Sequence, residues 1–393
     1  MFKETVFLAV FIALSVKCQS KVGDSCVDGY TGTVGVCAPI QNCQSAKQAS
    51  QGNGIAPTFC AYSAFNPTTV CCLDDSSFLN VVKPTEELPV WSNGNTAKRV
   101  SDRKCEEYSR SVVSTVSYVP LNTGTHEIVS AKCDYLDTQL IIGGEKAKLG
   151  EFPHMAAIGW SVDEGLMFPC GGALISRNFV LTAGHCQTFR NTPPVVIRLG
   201  EHNIDPSVND GANPVDLPIK RMIPHPEYKP PLVYNDIALI EMASSAKLGN
   251  AIRPACLWSS PNFEGRKQAL AIGWGVTNDD TKETAKELMK VSLSLLENNR
   301  CDALLKNFQR QTKWPGFTSS QMCAGELRGG KDTCQGDSGS PLQVVSKENQ
   351  CIFHVVGVVS FGRYCAVKNS PGVFSRVSSY LDWIERTVWP GEN

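Results

Sequence analysis

The run FHVVGVVSFG at residues 353–362 is short, almost wholly apolar and ends on a glycine. A run of this length and composition is typical of a buried β-strand. Comparable runs occur earlier in the chain: FVLTA at 179–183, VVIRLG at 195–200, DIALIEM at 236–242 and ALAIGWG at 269–275. Because glycine, proline and asparagine separate these runs, the sequence from residue 141 onward predicts an all-β barrel or sandwich.

One helix is predicted at the carboxyl end of the chain. Leu381, Ile384 and Val388 recur at helical spacing, and a Pro-Gly pair follows as a stop signal. Ser379 and Asp382 are spaced as in a capping box, which would fix the first turn of this helix.

Length and composition describe an ordinary globular protein. The 393 residues leave room for one large domain, a smaller module and a linker. Hydrophobic residues make up 42% and charged residues 19% of the chain. Because the formal net charge is only -1, no nucleic-acid partner is expected.

Residues 1–20 have the features of a signal peptide. Lys3 precedes an apolar run from Val6 to Val16, which is too short to cross a bilayer. The alternative is a buried amino-terminal helix. No later stretch is long and apolar enough for a span, so we expect a secreted, extracellular protein with no membrane span.

The cysteines also indicate an oxidising compartment. There are 17, and loss of Cys18 with the signal peptide leaves an even number for disulfides. Zinc is the alternative for so many thiols, but no pair of CxxC motifs is present. Six cysteines fall within a module at 25–72 that has few large apolar side chains, so disulfides must stabilise it.

Residues 73–140 are polar and show no sustained periodicity. We expect a linker, poorly ordered in part, between the cysteine-rich module and a β-rich domain at 141–393. Its two isolated cysteines, Cys105 and Cys133, are expected to tie it to another part of the chain.

Three motifs in the β-rich region carry the groups needed for hydrolysis by a serine. LTAGHC contains His185, NDIALI contains Asp236 and KDTCQGDSGSP contains Ser338. The reaction needs a hydroxyl beside a base, a carboxylate that fixes the base's tautomer, and donors for an oxyanion. Each motif alone has an ordinary explanation as a packing histidine, a capping aspartate or a turn. The three together, with IIGG at 141–144, are specific.

This combination resembles the chymotrypsin family over residues 141 to about 389. The resemblance implies two six-stranded antiparallel β-barrels with the active site in the cleft between them. It also implies that His185 is the general base and then acid, that Asp236 orients its ring, and that Ser338 attacks. The amides of Gly336 and Ser338 would form the oxyanion hole.

Asp332 lies six residues before the nucleophile, where this family sets its specificity. The resemblance implies that its carboxylate selects Arg or Lys, and that Gly362 and Gly372 leave room for such a long side chain. The alternative is that Asp332 is a solvated turn residue.

Two residues depart from the family's pattern. Ser340 stands in GDSGSP where glycine is usual, and Gly184 stands in TAGHC where alanine is commoner. Neither change removes a catalytic group. If residue 340 needs a positive φ, a serine there would cost about 1 kcal/mol of strain and lower the activity.

The segment Leu140-Ile141 matches the family's activation junction. The resemblance implies that cleavage there frees an amine at Ile141, which pairs with Asp337 beside the nucleophile. A buried carboxylate without a cation is unfavourable, so the uncut precursor is expected to be inactive. Because a pocket ending in Asp332 should not accept leucine, we expect a different, leucine-preferring protease as activator and no self-activation.

The cysteine-rich module, with adjacent Cys71 and Cys72, resembles the clip domain of arthropod haemolymph proteases. That resemblance implies the pairs Cys26–Cys71, Cys37–Cys60 and Cys43–Cys72. In the protease domain, family positions imply Cys170–Cys186, Cys301–Cys323, Cys334–Cys365 and Cys133–Cys256, which leaves Cys105–Cys351.

A leucine before the junction makes the chain similar to the snake and Persephone group of clip proteases (clip subfamily C). The resemblance implies a haemolymph enzyme in the middle of a cascade, which is cut by one protease, cuts a downstream clip-protease zymogen and is inhibited by serpins. Toll-pathway innate immunity, embryonic patterning and melanisation stay open as outputs.

Two other functions compete with this one. A catalytically weak or inactive homologue would serve as a binding cofactor, which the intact triad motifs disfavour. A digestive trypsin would not need the cysteine-rich module. No cofactor is expected to be required; trypsins begin a calcium loop at the positions of Glu201 and Asn203, but a surface turn is favoured here.

Overall fold

The computed structural model describes residues 25–27, 34–43, 69–72, 98–118, 126–131, 145–278, 283–312, 314–329, 336–347, 349–362 and 367–392. The chain divides into two compact units. One comprises residues 1–88 and 115–128, and the other comprises residues 89–114 and 129–393.

The described part of the first unit contains a small antiparallel sheet. Its strands are β1 (Ser25–Val27), β2 (Val34–Pro39) and β3 (Thr69–Cys72), with β2 in the middle. The disulfides Cys26–Cys71 and Cys43–Cys72 join its ends, so the two adjacent cysteines bond different partners as expected. Cys37 is also disulfide-bonded, but its expected partner Cys60 lies outside the described residues.

Two further strands, β4 (Val113–Tyr118) and β5 (His126–Ala131), form a separate two-stranded sheet. The segment expected to be a linker therefore contains regular structure.

Six antiparallel strands close the first barrel of the second unit in the order β7-β8-β9-β12-β11-β10. They are β7 (Met155–Val162), β8 (Gly165–Leu174), β9 (Phe179–Thr182), β10 (Val196–Leu199), β11 (Val215–Pro224) and β12 (Ala238–Met242).

The second barrel is also closed by six antiparallel strands, in the order β14-β17-β18-β21-β20-β19. They are β14 (Gln268–Gly273), β17 (Met289–Leu296), β18 (Gln321–Gly325), β19 (Pro341–Val345), β20 (Phe353–Phe361) and β21 (Gly372–Arg376). Two short strands, β6 (Glu145–Lys146) and β13 (Cys256–Leu257), pair with β17 and β20, while β15 (Val276–Asn278) and β16 (Glu283–Thr284) form a separate two-stranded sheet. The expectation of two six-stranded barrels is confirmed.

Strand β7 explains how the two barrels share an interface. Side chains alternate between the faces of a strand. Ile158 and Trp160 face the core of the first barrel. Met155 and Ala157 face the other way and pack against β14 of the second barrel. Both faces are therefore apolar, and residues 155–160 form one continuous buried run.

Three α-helices are described: α1 (Val100–Ser109), α2 (Asn298–Thr312) and α3 (Leu381–Val388). The predicted carboxyl-terminal helix is confirmed, but its capping box is wrong. Tyr380 precedes the helix, and Ser379 donates instead to the carbonyl of Ser319 at 3.4 Å. The carboxylate of Asp382 pairs with Arg99, which is 283 positions away in sequence. It therefore does not accept a hydrogen bond at the start of the helix. None of the helices in the described ranges is long and apolar enough to span a membrane.

Helix α1 packs beside strand β13, and its cysteine forms a disulfide that differs from two of the expected pairs. Cys105 of α1 bonds Cys256 of β13, with a Cα–Cα distance of 4.9 Å. The expected pairs Cys133–Cys256 and Cys105–Cys351 are therefore wrong, because α1 lies directly beside β13. Cys351 is disulfide-bonded, and Cys133 is outside the described residues.

Two disulfides in the barrels are those the family positions implied. Cys170 bonds Cys186 next to the histidine motif, and Cys301 of α2 bonds Cys323 of β18. The expected pair Cys334–Cys365 lies outside the described residues.

Candidate active site

Strand pairing brings His185 and Asp236 together. β9 runs antiparallel to β12, with Thr182 opposite Ala238, so the turn after β9 lies beside the residues before β12. Nδ1 of His185 is 2.8 Å from Oδ2 of Asp236, and the backbone N–H of His185 donates to Oδ1 at 2.8 Å. One carboxylate therefore holds both the ring and the backbone of the histidine.

Asp236 is buried with two serines that the sequence analysis did not identify. Its side chain lies almost entirely out of solvent. Ser360 of β20 donates to Oδ2 at 2.5 Å, and Ser375 of β21 donates to the backbone carbonyl of Asp236 at 2.6 Å. The bond from Ser360 compensates the buried carboxylate for lost water, and the bond from Ser375 satisfies the buried backbone carbonyl. Only the fold could identify them, since they lie 124 and 139 positions away in sequence.

The pKa of His185 reflects this environment. Burial alone would lower it, but the hydrogen bond to Asp236 and the charge of that carboxylate outweigh the loss of water and raise it above its usual value. The imidazolium form is therefore stabilised, as a base that must take up and hold a proton requires. A third of the side chain stays exposed, at 33%.

Ser338 lies in a turn of the second barrel that is bonded to the first. The N–H of Gly171, in β8, donates to the carbonyl of Ser338 at 2.8 Å. The next residue, Gly339, has φ +75, and a Cβ on it would be 2.1 Å from Oγ1 of Thr182 and 2.7 Å from the carbonyl of Gly171. Only glycine fits so close an approach. The turn that contains Ser338 therefore packs against β8 and β9, and His185 follows β9 in the chain.

The carboxylate of Asp337 lies between two glycines of the second barrel. It accepts a hydrogen bond from the N–H of Gly275 at 2.9 Å. A Cβ at Gly273 would be 2.0 Å, and one at Gly275 2.3 Å, from its oxygens. Gly336, one residue before Asp337, has φ +96 and approaches the Cα of Gly275. This loop conformation thus depends on three glycines.

The two departures from the family pattern have different outcomes. Ser340 is not among the described non-glycine residues with positive φ, so the expected strain does not arise; the positive φ falls on Gly339 instead. Gly184 has a packing reason, because a Cβ there would be 2.8 Å from the ring of Tyr228. That ring is half-buried, and burial raises the pKa of Tyr228 to about 12.

Asp332, Leu140 and Ile141 lie outside the described residues, whereas the two expected pocket glycines are within them. Gly372 is buried at the start of β21, and Gly362 follows the end of β20. Phe361 pairs with Val373, so the two glycines come to the same end of adjacent strands. Among the described residues, and apart from its chain neighbours, no atom lies within 4 Å of a Cβ position at Gly362. This arrangement would allow Gly362 and Gly372 to form two walls of one cleft.

The loop considered for calcium is engaged in its own contacts. Asn203 accepts the N–H of Asp205 at 3.1 Å, as in an Asx turn. Oε2 of Glu201 is 3.4 Å from the guanidinium of Arg198. Burial, with the nearby charge of Asp210, raises the pKa of Glu201. A guanidinium beside the first carboxylate competes with a cation, so these residues fit a surface turn better than a calcium site.

An imidazole held by a buried carboxylate, beside a serine turn between two six-stranded barrels, defines a serine endopeptidase. A family model described as Trypsin matches residues 141–384, and the chain belongs to that family as a clip-domain serine protease.

Three relatives cover most of the chain. "Serine protease snk" of Drosophila melanogaster is 34% identical over 93% of this chain and 79% of its own length. "Proclotting enzyme" of Tachypleus tridentatus is 30% identical over 89% and 86%. "CLIP domain-containing serine protease B4" of Anopheles gambiae is 32% identical over 74% and 82%.

Proposed function

We propose that the chain is a secreted zymogen that, once cut, hydrolyses peptide bonds after Arg or Lys. The observation that carries the proposal is the double contact between His185 and Asp236, at 2.8 Å each. It is supported by the hydrogen bond that fixes the turn of Ser338 to Gly171. The proposed domains are a signal peptide at 1–20, a clip domain at 25–72, a connecting segment at 73–140 and the protease at 141–393.

In the proposed mechanism, Oγ of Ser338 attacks the peptide carbonyl while Nε2 of His185 takes its proton. Nδ1–H of the same ring donates to Asp236, which stabilises the imidazolium formed. That imidazolium then protonates the leaving amine, and water repeats the sequence to release the acyl group. The N–H groups of Gly336 and Ser338 stabilise the oxyanion.

Specificity for a basic side chain rests on Asp332 at the end of the pocket, with Gly362 and Gly372 as its walls. The register of β20 and β21 supports this role, because it places both glycines at one edge. A carboxylate in a narrow apolar pocket favours a long cationic side chain over an apolar one.

Activation is proposed to follow cleavage between Leu140 and Ile141. The new amine pairs with Asp337, whose carboxylate already fits between Gly273 and Gly275. A carboxylate out of water is unfavourable unless a cation compensates it, which couples the cut to the shape of the oxyanion loop. The activator is a leucine-preferring protease, because leucine does not suit a pocket that ends in Asp332.

The proposed setting is a haemolymph cascade in which this enzyme cuts a downstream clip-protease zymogen and is stopped by serpins. The names of relatives support it: one is called a proclotting enzyme, and another, from Bombyx mori, a phenoloxidase-activating enzyme. Toll signalling, patterning and melanisation are the candidate outputs. Calcium is not required for the chemistry proposed.

The test uses a precursor in which residues 136–140 are replaced by Asp-Asp-Asp-Asp-Lys, so that enterokinase frees Ile141. The cut enzyme should hydrolyse arginyl and lysyl anilides and ignore leucyl ones, and an active-serine phosphonate should label it. S338A, cut in the same way, is the matched control and should do neither. A folded, cut protein that is neither labelled nor active would instead support the binding-cofactor function.

A further inference from the structure

Ser340 is the residue by which GDSGSP departs from the family pattern. Its side chain has no role in the catalytic arrangement of His185, Asp236 and Ser338 proposed above. It is 0% exposed. No hydrogen-bond partner for its Oγ occurs in the part of the chain that the structure describes. A buried hydroxyl without a hydrogen-bond partner is unfavourable. We therefore expect the hydroxyl of Ser340 to have an acceptor in at least one state of the enzyme.

The hydroxyl lies beside the carboxylate of Asp337. A Cβ at Gly273 would be 3.3 Å from Oγ of Ser340 and 2.0 Å from Oδ1 of Asp337, so the two oxygens flank the same glycine. The backbone N–H of Ser340 also donates to the carbonyl of Asp337 at 2.9 Å, which closes one tight turn around both residues.

The other close neighbours of the hydroxyl are poorer acceptors. Oγ of Ser340 would be 2.1 Å from a Cβ at Gly171, and the methyl of Met155 borders the same space. The carbonyl of Gly171 already accepts a hydrogen bond from Thr182 at 2.8 Å. A carboxylate has about four lone-pair sites, and hydrogen bonds to it are stronger than those between neutral groups. Asp337 is therefore the favoured acceptor.

We propose that Ser340 is a positioning residue whose hydroxyl donates to Asp337 when the oxyanion loop is in its competent form. The proposal rests on the proposed function. Rotation about χ1 of Ser340 moves Oγ, and rotation about its Cβ–Oγ bond aims the proton. A glycine at this position cannot do this, so the chain has a donor for Asp337 that is present before as well as after the cut.

Two measurable consequences follow. In the uncut precursor the hydroxyl partly compensates the carboxylate, so the competent loop is populated more than it would be without it. In the cut enzyme the competent loop also needs the protonated amine of Ile141. Weakening that loop makes the amine easier to deprotonate, so the alkaline limit of activity moves to lower pH.

The experiment compares wild type, S340A and S340G, each as verified uncut precursor and as enterokinase-cut enzyme from the 136–140 replacement. Losing one charge-assisted hydrogen bond should lower precursor turnover of an arginyl anilide about tenfold, or about 1.4 kcal/mol. In both cut variants the alkaline limb of kcat/KM should move down by about one pH unit, while activity near neutral pH stays within about twofold. Thermal unfolding and phosphonate labelling check that the variants fold.

S292A is the matched control, because Ser292 of β17 is also buried with no hydrogen-bond partner among the described residues. S292A should change neither the turnover of the arginyl anilide by the precursor nor the alkaline limb of kcat/KM of the cut enzyme. An alkaline limb in S340A that coincides with wild type would overturn the inference, as would a defect in S340G that S340A does not share, since that would assign the effect to Cβ packing. A cut wild type without arginyl activity would instead remove the proposed function and this inference with it.

Discussion

Replacing Glu385 with glutamine is expected to weaken the attachment of α1 to α3. Glu385 is 5% exposed. Its carboxylate accepts from Nε and Nη2 of Arg99 at 3.1 and 2.9 Å, and from the N–H and Oγ of Ser101 at 3.0 and 2.6 Å. Glutamine removes the charge and replaces one acceptor oxygen with a donor. Because hydrogen bonds to a charged group contribute about 1.5–3 kcal/mol and Arg99 is partly solvated, we expect a loss of about 2 kcal/mol.

The loss should depend on pH. Burial would raise the pKa of Glu385, but the hydrogen bonds from Arg99 and Ser101 outweigh it and lower the pKa below its ordinary 4.5. A carboxylate with a lowered folded pKa stabilises the fold above its unfolded pKa and loses this contribution as the pH falls through the folded pKa. The difference between wild type and E385Q should therefore be full near neutral pH and shrink as the pH falls below 4.5, the ordinary pKa of this carboxyl.

Calorimetry of the uncut precursor at several pH values measures this difference. About 2 kcal/mol corresponds to roughly 4–8 °C in Tm for a domain of this size. The matched control is D382N, because Asp382 pairs with the same Arg99 but is 74% exposed, and an exposed pair contributes under about 1 kcal/mol. The reasoning is refuted if E385Q loses no more than D382N, or if its loss is undiminished at about pH 3.5.

Three other outcomes are expected. L140R should activate itself when incubated alone, because the proposed pocket accepts arginine, whereas wild type should not; amino-terminal sequencing for Ile141 decides. G184A should cost about 1–3 kcal/mol by pushing the ring of Tyr228 aside, and paired Y228A should relieve the clash, so additive losses in urea unfolding would contradict the packing explanation. In the cut enzyme kcat/KM should rise with pH through a pKa above 6.5, since His185 must be neutral to act and Asp236 raises its pKa; an acid limb below 6.5 would be the wrong sign.

The barrels and the pairing of His185 with Asp236 could be predicted because their signals are local. Strands such as β9, β12 and β20 are short apolar runs between turn residues, and His185 and Asp236 each lie in a motif of their own. The positive φ in the nucleophile turn was harder to place, since GDSGSP offers two adjacent candidates. Tight packing against Thr182 assigns it to Gly339, which leaves Ser340 unstrained.

Helix α1 could not be predicted because its sequence, VSDRKCEEYS, is polar and lacks an apolar face. Contacts that are distant in sequence stabilise it, above all Glu385 and the bond from Cys105 to Cys256. The expected pairs Cys133–Cys256 and Cys105–Cys351 were wrong for the same reason. The contacts of Ser360 and Ser375 with Asp236 could not be predicted either, since only the folding of the second barrel brings these serines to Asp236.

The hydrogen bond from Gly171 to Ser338 has a wider consequence, because it crosses from one barrel to the other. His185 and Asp236 belong to the amino-terminal half of the protease and Ser338 to the carboxyl-terminal half. In the proposed mechanism, neither half alone carries a complete set of reacting groups. Fragments severed between β13 and β14 would be inert apart and would regain turnover only by reassembling.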